Sequence, residues 1–310
     1  MIGIRSIASY IPEGRIDNIA QALSFERDAE FVQNKLGTTT LSVKADNEET
    51  SDLSVRAVQN LLAKNPDLKL EDVQALVIVT QNGDAEGLPH TSAIVQHKLG
   101  LPTHAACFDV SLGCSGYVYG LYVLKGFMQA TGLKNAILVT ADPYSKIVDR
   151  ADRMTTLLFG DAATATWITE DPVWELGPAR FGGDGGGAEY LVVKDGNFHM
   201  NGRQVFNFAC LKIIPHMQEV LDELQMNMDE VDAFCLHQGS GAIVDAIAKR
   251  LGDNGSKVIK DMFGAGNTVS SSIPMLLEHY GFDGKWKNAM LSGFGVGLSW
   301  GSALLVRPKV

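Results

Sequence analysis

Cys114 lies in Phe108-Asp109-Val110-Ser111-Leu112-Gly113-Cys114-Ser115-Gly116-Tyr117-Val118-Tyr119-Gly120-Leu121, where an apolar, strand-like run passes through small residues into a helical pattern. A cysteine at that junction meets backbone N–H groups with no intrahelical partner and the positive end of the helix dipole. Both favour a thiolate, the form of sulfur that attacks acyl groups. Gly116 and Gly120, four apart, let another backbone pack against the helix, which suits a buried nucleophile. An isolated cysteine is also an ordinary small core residue. Two polar residues in the second half of the chain can complete a site. His237 ends the strand-like Phe234-Cys235-Leu236-His237-Gln238, and Asn267 follows Met262-Phe263-Gly264-Ala265-Gly266 just before a helical stretch at 270–280. Their plain alternatives are a structural histidine and a helix N-cap. Gly293-Phe294-Gly295-Val296-Gly297-Leu298 follows an apolar strand signal and supplies either a tight turn or a backbone N–H for a developing oxyanion.

These residues need a scaffold that brings distant segments together. Strand and helix signals alternate along almost the whole chain, the pattern of an α/β protein with layered sheets and helices. Helical spacing at 50–64 (Leu53, Ala57, Val58, Leu61, Leu62) stops at Asn65-Pro66, a second helix at 91–99 stops at Gly100, and a long one spans 115–131. Ala75-Leu76-Val77-Ile78-Val79 and Ala136-Ile137-Leu138-Val139 are buried-strand candidates, residues 157–168 suggest paired strands through Gly160-Asp161, and a helix is expected at 207–225. Gly182-Gly183-Asp184-Gly185-Gly186-Gly187 lacks the strand-then-helix frame of a nucleotide fingerprint and is expected to be a flexible turn.

The chain also repeats itself. Residues 72–83 parallel 230–239, and 133–138 parallel 286–291, each pair about half the chain apart. The expected architecture is two similar α/β halves related by a pseudo-twofold axis, residues 1–170 carrying Cys114 and 171–310 carrying His237 and Asn267. Equivalent strand ends of the two halves then converge on one site.

With 310 residues, 45% of them hydrophobic, the chain can bury a large core. A net charge of −10 argues against a protein that coats nucleic acid or an anionic membrane. The four cysteines (107, 114, 210, 235) match no zinc spacing and no dense disulfide scaffold, so they read as reduced thiols. No apolar run approaches the roughly 18 residues of a membrane span, and the first residues lack a signal-peptide core. A soluble, cytoplasmic protein is expected.

The segments around Cys114, His237 and Asn267 resemble those of the thiolase superfamily, most closely β-ketoacyl-acyl-carrier-protein synthase III. The resemblance extends to Asp46-Asn47-Glu48-Glu49-Thr50, Val95-Gln96-His97-Lys98-Leu99-Gly100, Phe159-Gly160-Asp161-Ala162-Ala163 and Trp300-Gly301-Ser302-Ala303-Leu304, in the same order. It implies a thiolase-like fold, two βαβαβαββ halves in an αβαβα layered sandwich, and a homodimer paired through the strand near Cys107. It also implies decarboxylative Claisen condensation without metal, flavin or nicotinamide. Cys114 takes an acyl group from acyl-CoA; the N–H groups of Cys114 and Val296 hold the oxyanion; His237 and Asn267 support decarboxylation of malonyl-acyl carrier protein. The alternative on the same fold is an acyltransferase or condensing enzyme of secondary metabolism with a different acceptor, a relative that often lacks the asparagine. A silent partner subunit typically lacks the cysteine.

The departures from the family pattern concern substrate contacts. Where the family holds coenzyme A with tryptophan and arginine, this chain has Phe31 and Lys35, while Arg153 matches the other adenine-contacting position. Leu88 stands where a bulky residue from the partner subunit closes the acyl pocket. Ser240 and Ala242 replace an asparagine and a carrier-docking arginine, which shifts expected docking to Lys249 and Arg250, with Lys212 or Lys257 in support. Val296 replaces a glycine and is expected to narrow the site.

Overall fold

The computed structural model describes residues 1–308. The first half of the chain runs β1 (Gly3–Tyr10), β2 (Gly14–Asp17), α1 (Asn18–Leu23), α2 (Ala29–Phe31), β3 (Thr40–Val43), α3 (Thr50–Lys64), β4 (Ala75–Val79), α4 (Thr91–Leu99), β5 (Ala106–Val110), α5 (Gly116–Thr131), β6 (Asn135–Ala141), α6 (Arg153–Thr156) and β7 (Ala163–Thr169). The second runs β8 (Trp174–Gly183), β9 (Leu191–Lys194), β10 (Asn197–Met200), α7 (Gly202–Asp222), β11 (Ala233–Leu236), α8 (Gly241–Arg250), α9 (Ser272–Tyr280), β12 (Asn288–Gly295) and β13 (Ser299–Val306).

The sheet order is β11-β12-β13-β8-β1-β7-β6-β4-β5. The seam between β8 and β1 is only two residue pairs, Gly3 with Glu175 and Ile4 with Trp174. Either side of it the pattern repeats. The series β1, β7, β6, β4 corresponds to β8, β13, β12, β11, with parallel pairing of β4 to β6 matched by β11 to β12. A fifth strand, β5, has its counterpart in a single parallel bridge between Phe234 and Val258. Helices α5 and α9 contact strands of both halves and form the middle layer; α3 and α4 cover the outer face of one half, α7 and α8 that of the other. Five layers result, the fold expected from the sequence.

The local rules that build these layers are visible in the helices. Asp52 accepts from the Glu49 N–H (2.9 Å) and starts α3, whose buried face is Leu53, Ala57, Val58 and Leu61. Helices α4 and α5 end at Gly100 (φ 70°) and Gly132 (φ 73°), in the left-handed conformation that glycine accepts without a Cβ clash. The apolar residues of α5, among them Tyr117, Leu121, Leu124 and Met128, share one buried cluster with Ile273, Leu276 and Leu277 of α9, which is why both helices sit between the sheets.

Three expectations change. The helix placed at 207–225 is α7, Gly202–Asp222, because Asn201 caps it by accepting from the Gln204 N–H (3.2 Å) before the apolar periodicity begins. Of the paired strands at 157–168 only β7 exists. Residues 157–162 form no hairpin, and Phe159 makes one parallel bridge, to Asn267 in the other half. The glycine cluster is not a flexible turn throughout: Gly182 and Gly183 end β8, paired with Trp300 and Ser299.

Candidate active site

The turn from β5 into α5 presents Cys114, 7% exposed, to a cavity of about 200 Å³. The opposite wall comes from the second half of the chain. His237 follows β11, and its N–H donates to the Ser292 carbonyl (2.9 Å), which fixes the strand end. Asn267 is held by the bridge to Phe159, donating from its backbone to the Leu158 carbonyl (2.9 Å) and accepting from the Gly160 N–H (3.1 Å). That approach requires glycine at 160, where a Cβ would lie 1.8 Å from the Ala265 carbonyl oxygen. Cys114, His237 and Asn267 therefore line one cavity although they lie far apart in sequence.

The strand β12 closes over the sulfur. At Gly295 a Cβ would stand 2.7 Å from Cys114 Sγ, so only glycine permits this contact. The next residue, Val296, directs its N–H at the sulfur, as does Cys114 with its own N–H. These are the two donors expected for an oxyanion hole. Ser299 Oγ donates to the Val296 carbonyl (2.9 Å) and shares a 2.6 Å hydrogen bond with Ser115 Oγ, tying the turn to the start of α5. The Val296 side chain is not among the groups lining the cavity, so the expected narrowing is absent there.

The electrostatics overturn one expectation. The helix N-terminus was expected to favour a thiolate, but burial pushes the Cys114 thiol up to about 12, reinforced by the nearby Asp142 charge and only partly offset by the two N–H donors. The resting sulfur is a neutral thiol. Burial also drives the His237 imidazole down to about 3, so it is neutral at ordinary pH. Its Nδ1 lies 2.8 Å from Ser272 Oγ, which leaves Nε2 toward the cavity. Ser272 Oγ also lies 3.1 Å from the Val269 carbonyl. Donating to Val269 leaves the ring proton on Nδ1 and a bare Nε2; donating to Nδ1 leaves an Nε2–H facing the cavity. Asn267 is not an N-cap of α9. Its Oδ1 accepts from the Val269 N–H (2.9 Å) and its Nδ2 donates to the Gly239 carbonyl (3.2 Å), with a second amide proton left over.

The other sequence candidates fall into two groups. Lys35, on the wide turn Val32–Leu36, lines the cavity mouth, and Arg153 lies beside Met154, another lining residue. Phe31 carries the Arg27 guanidinium 5.3 Å from its ring and lines a surface hollow shared with Lys35. Leu88, in contrast, is 85% exposed and outside the cavity of its own chain. Lys249 and Arg250 close the last turn of α8. They stand roughly 13 Å along the helix from Ser240 at the cavity. Sequence reasoning passed over Ser272, the exposed Arg203 next to the lining residue Gly202, and Asp142, and named Gly295 only as part of its glycine-rich turn. The Asp142 carboxyl is raised to about 7 by burial, accepts from the Gln81 N–H (3.1 Å) and Asn82 Nδ2 (2.9 Å), and has no partner for Oδ2 among the described residues. Among them, too, no group of His, Cys, Asp or Glu is placed to hold a metal, and no helix is long and apolar enough to cross a membrane.

Comparison with known proteins agrees with this geometry. Residues 108–185 match the family model of 3-oxoacyl-[acyl-carrier-protein] synthase III, and residues 221–307 match that of its C-terminal region. The chain is 34% identical to a β-ketoacyl-[acyl-carrier-protein] synthase III of Deinococcus deserti, over 96% of this chain and 89% of the relative. The crystal structure of the corresponding enzyme of Thermus thermophilus superposes with a TM-score of 0.91 at 30% identity, covering 99% of this chain and all of the other. A priming β-ketosynthase of the R1128 polyketide pathway superposes with a TM-score of 0.89 at 25% identity, covering all of this chain and 97% of the other. The fold, the matched segments and the similarity along the full chain agree, and the chain belongs to the β-ketoacyl-acyl-carrier-protein synthase III family of thiolase-fold condensing enzymes.

Proposed function

We propose that this protein catalyses decarboxylative Claisen condensation of an acyl group, carried on Cys114, with malonyl-acyl carrier protein. The products are a 3-oxoacyl-acyl carrier protein, coenzyme A and carbon dioxide. The observation that carries the reading is the convergence of Cys114, His237 and Asn267 on one small cavity, with two backbone N–H groups aimed at the sulfur.

A neutral thiol attacks a thioester only if its proton leaves with the attack. His237 is neutral and its Nε2 can take that proton as the sulfur bonds to the acyl carbon. The oxyanion of the tetrahedral intermediate sits against the Cys114 and Val296 N–H groups. Collapse expels the coenzyme A thiolate, which recovers the proton from His237. In the second half-reaction the malonyl carboxylate leaves as carbon dioxide, and its bonding electrons form an enolate on the thioester. Proton exchange with solvent returns the His237 ring to its Nε2–H tautomer, with Ser272 now donating to Nδ1, and the Nε2–H and the free amide proton of Asn267 then donate to the enolate oxygen. The carbanion attacks the acyl-enzyme carbonyl, and Cys114 leaves as a thiolate that takes one proton from solvent water to restore the thiol. An acyl transfer to another acceptor needs no such enolate support, so the buried, oriented Asn267 favours condensation.

Substrate contacts complete the proposal. Lys35, Arg153 and Phe31 flank the mouth and suit the phosphates and adenine of acyl-CoA. Lys249 and Arg250 offer positive charge to an acidic carrier protein, with Arg203 nearer the entrance. The edge strand β5, unpaired on one side among the described residues, suits a homodimer in which Leu88 reaches the other copy's pocket. Residues 1–170 and 171–310 act as the nucleophile-bearing and decarboxylation-bearing halves, and the cytoplasm supplies both substrates. The test is incubation with acyl-CoA thioesters followed by intact-mass spectrometry, then addition of malonyl-acyl carrier protein. A mass increase on Cys114 that malonyl-acyl carrier protein discharges supports the reading; an enzyme that is never acylated sinks it.

A further inference from the structure

Val269 stands in the left-handed region (φ 52°), a conformation that a β-branched residue adopts only where its surroundings hold it there. Two groups at the site do so. Asn267 Oδ1 accepts from the Val269 N–H (2.9 Å), and the Ser272 backbone N–H, at the start of α9, donates to the Val269 carbonyl. The strained turn aims that carbonyl at the His237 ring and at Ser272 Oγ, 3.1 Å away. Ser272 Oγ thus stands between two acceptors for its one proton, this carbonyl and His237 Nδ1 at 2.8 Å. Its oxygen is fixed from a third side by the Gln238 N–H (3.3 Å), and the Gln238 amide is itself tied to the Leu236 and Ile259 carbonyls. Turning the hydroxyl therefore moves a proton without moving a heavy atom. The Val269 carbonyl keeps the Ser272 backbone N–H in both positions and is never orphaned.

The position of that proton matters because His237 has no third form to use. An imidazolium donates from both nitrogens, but burial lowers this ring to about 3, so at pH 7 only about one ring in ten thousand carries the extra proton. The neutral ring has a single proton to place. The Val269 carbonyl only accepts, so by itself it keeps that proton on Nδ1. Nε2 is then bare toward the cavity, suited to taking the Cys114 proton and unable to donate to an enolate. A donor at Nδ1 reverses this, and the hydroxyl placed at that atom is Ser272 Oγ. Resting on the condensing-enzyme reading above, we propose that Ser272 is a positioning residue that gates the second half-reaction. Its hydroxyl, turned from Val269 to His237, makes the ring a donor, whereas acylation needs the Val269 carbonyl alone. In the change Nδ1 gives one proton to solvent and Nε2 takes one from it, so the ring stays neutral.

The experiment compares Ser272→Ala and Ser272→Thr with the unmodified full-length protein in two assays. One is Cys114 acylation by acetyl-CoA, read by intact mass; the other is carbon dioxide release from malonyl-acyl carrier protein by the acetylated protein. Ser272→Ala acylates within about threefold of the normal rate but releases carbon dioxide about a hundredfold more slowly. Ser272→Thr keeps the hydroxyl and restores release to within about tenfold of normal. A merely structural role slows both half-reactions together. Equal loss in both assays overturns the proposal, as does undiminished release from Ser272→Ala. If Ser272→Ala does not fold, the imidazole 15N shifts of His237 decide in the unmodified protein. Binding of a malonyl-carrier protein whose thioester is replaced by an amide should move the ring to its Nε2–H form, and a ring that stays Nδ1–H overturns the proposal. Failure of every acyl-CoA to label the unmodified protein overturns the condensing-enzyme reading itself, a different outcome from labelling followed by normal release in Ser272→Ala.

Discussion

Substituting Gly295 by alanine probes whether β12 and the nucleophile act as one unit. The new Cβ would lie 2.7 Å from Cys114 Sγ and 2.8 Å from Cys114 Cβ. Non-bonded carbons rest about 3.5–4.0 Å apart, so one partner must retreat by roughly 1 Å. The strand cannot easily do so, because β12 pairs with β13 along its full length, Gly295 opposite Ser299, and with β11 on the other side. The sulfur must move instead, away from the Val296 N–H. Misplacing a reacting group by about 1 Å costs about a hundredfold in rate, or about 2.7 kcal/mol. Loss of one oxyanion donor is worth about a hundred- to a thousandfold. The overpacking itself costs about 1–3 kcal/mol of stability. The expected Gly295→Ala protein is folded, melts a few degrees lower, and is acylated by acetyl-CoA about a hundredfold more slowly. Gly126→Ala is the control: a Cβ at 126, on the exposed side of α5, meets nothing within 4 Å. It should stabilise the helix by about 0.5–1 kcal/mol and leave acylation alone. Stopped-reaction mass spectrometry and a thermal melt measure both. A folded Gly295→Ala protein that is acylated at the normal rate refutes the coupling of strand and sulfur.

Cys114→Ala should show no acyl mass increase with any acyl-CoA; normal labelling of that variant would remove the nucleophile assignment. His237→Ala and Asn267→Ala should release carbon dioxide from malonyl-acyl carrier protein about a hundredfold more slowly, and undiminished release would refute their roles. Stability against pH separates His237 from Asp142. Because the His237 imidazole is lowered to about 3, the unfolded chain binds a proton the native state lacks below about 6.5, and stability falls as pH drops toward 3. Because the Asp142 carboxyl is raised to about 7, the native state holds a proton the unfolded chain loses above about 4, so its contribution falls as pH rises toward 7. The two slopes oppose each other between about 4 and 6.5. Urea titrations there should show Asp142→Asn gaining stability with pH more steeply than the unmodified protein and His237→Gln less steeply; parallel curves would refute the assignment. Reversing charge at Lys249 and Arg250 should raise KM for malonyl-acyl carrier protein about tenfold without a matching change for acyl-CoA, and equal effects on both would remove the docking role.

Much of this molecule is legible along the chain. The repeat of residues 72–83 at 230–239 and of 133–138 at 286–291 becomes β4 against β11 and β6 against β12, equivalent strands of two matching half-sheets. Helix ends at Gly100 and Gly132 follow from glycine's freedom in the left-handed region. Cys114, His237 and Asn267 could be named because strand ends and glycine-flanked turns are local signals. What the sequence could not determine depends on groups that meet only in three dimensions. The protonation of Cys114 is one case: the helix N-terminus is a local feature and favours the thiolate, but burial among residues from both halves outweighs it and keeps the sulfur protonated. Ser272 against His237 and Gly295 against the sulfur are contacts between segments with no proximity in the chain. No periodicity or motif encodes them. Sequence types and spacing singled out the groups proposed to carry the chemistry; tertiary packing decided their proton states, their partners and the room left for substrate, because desolvation and close contact depend on neighbours that only the fold supplies.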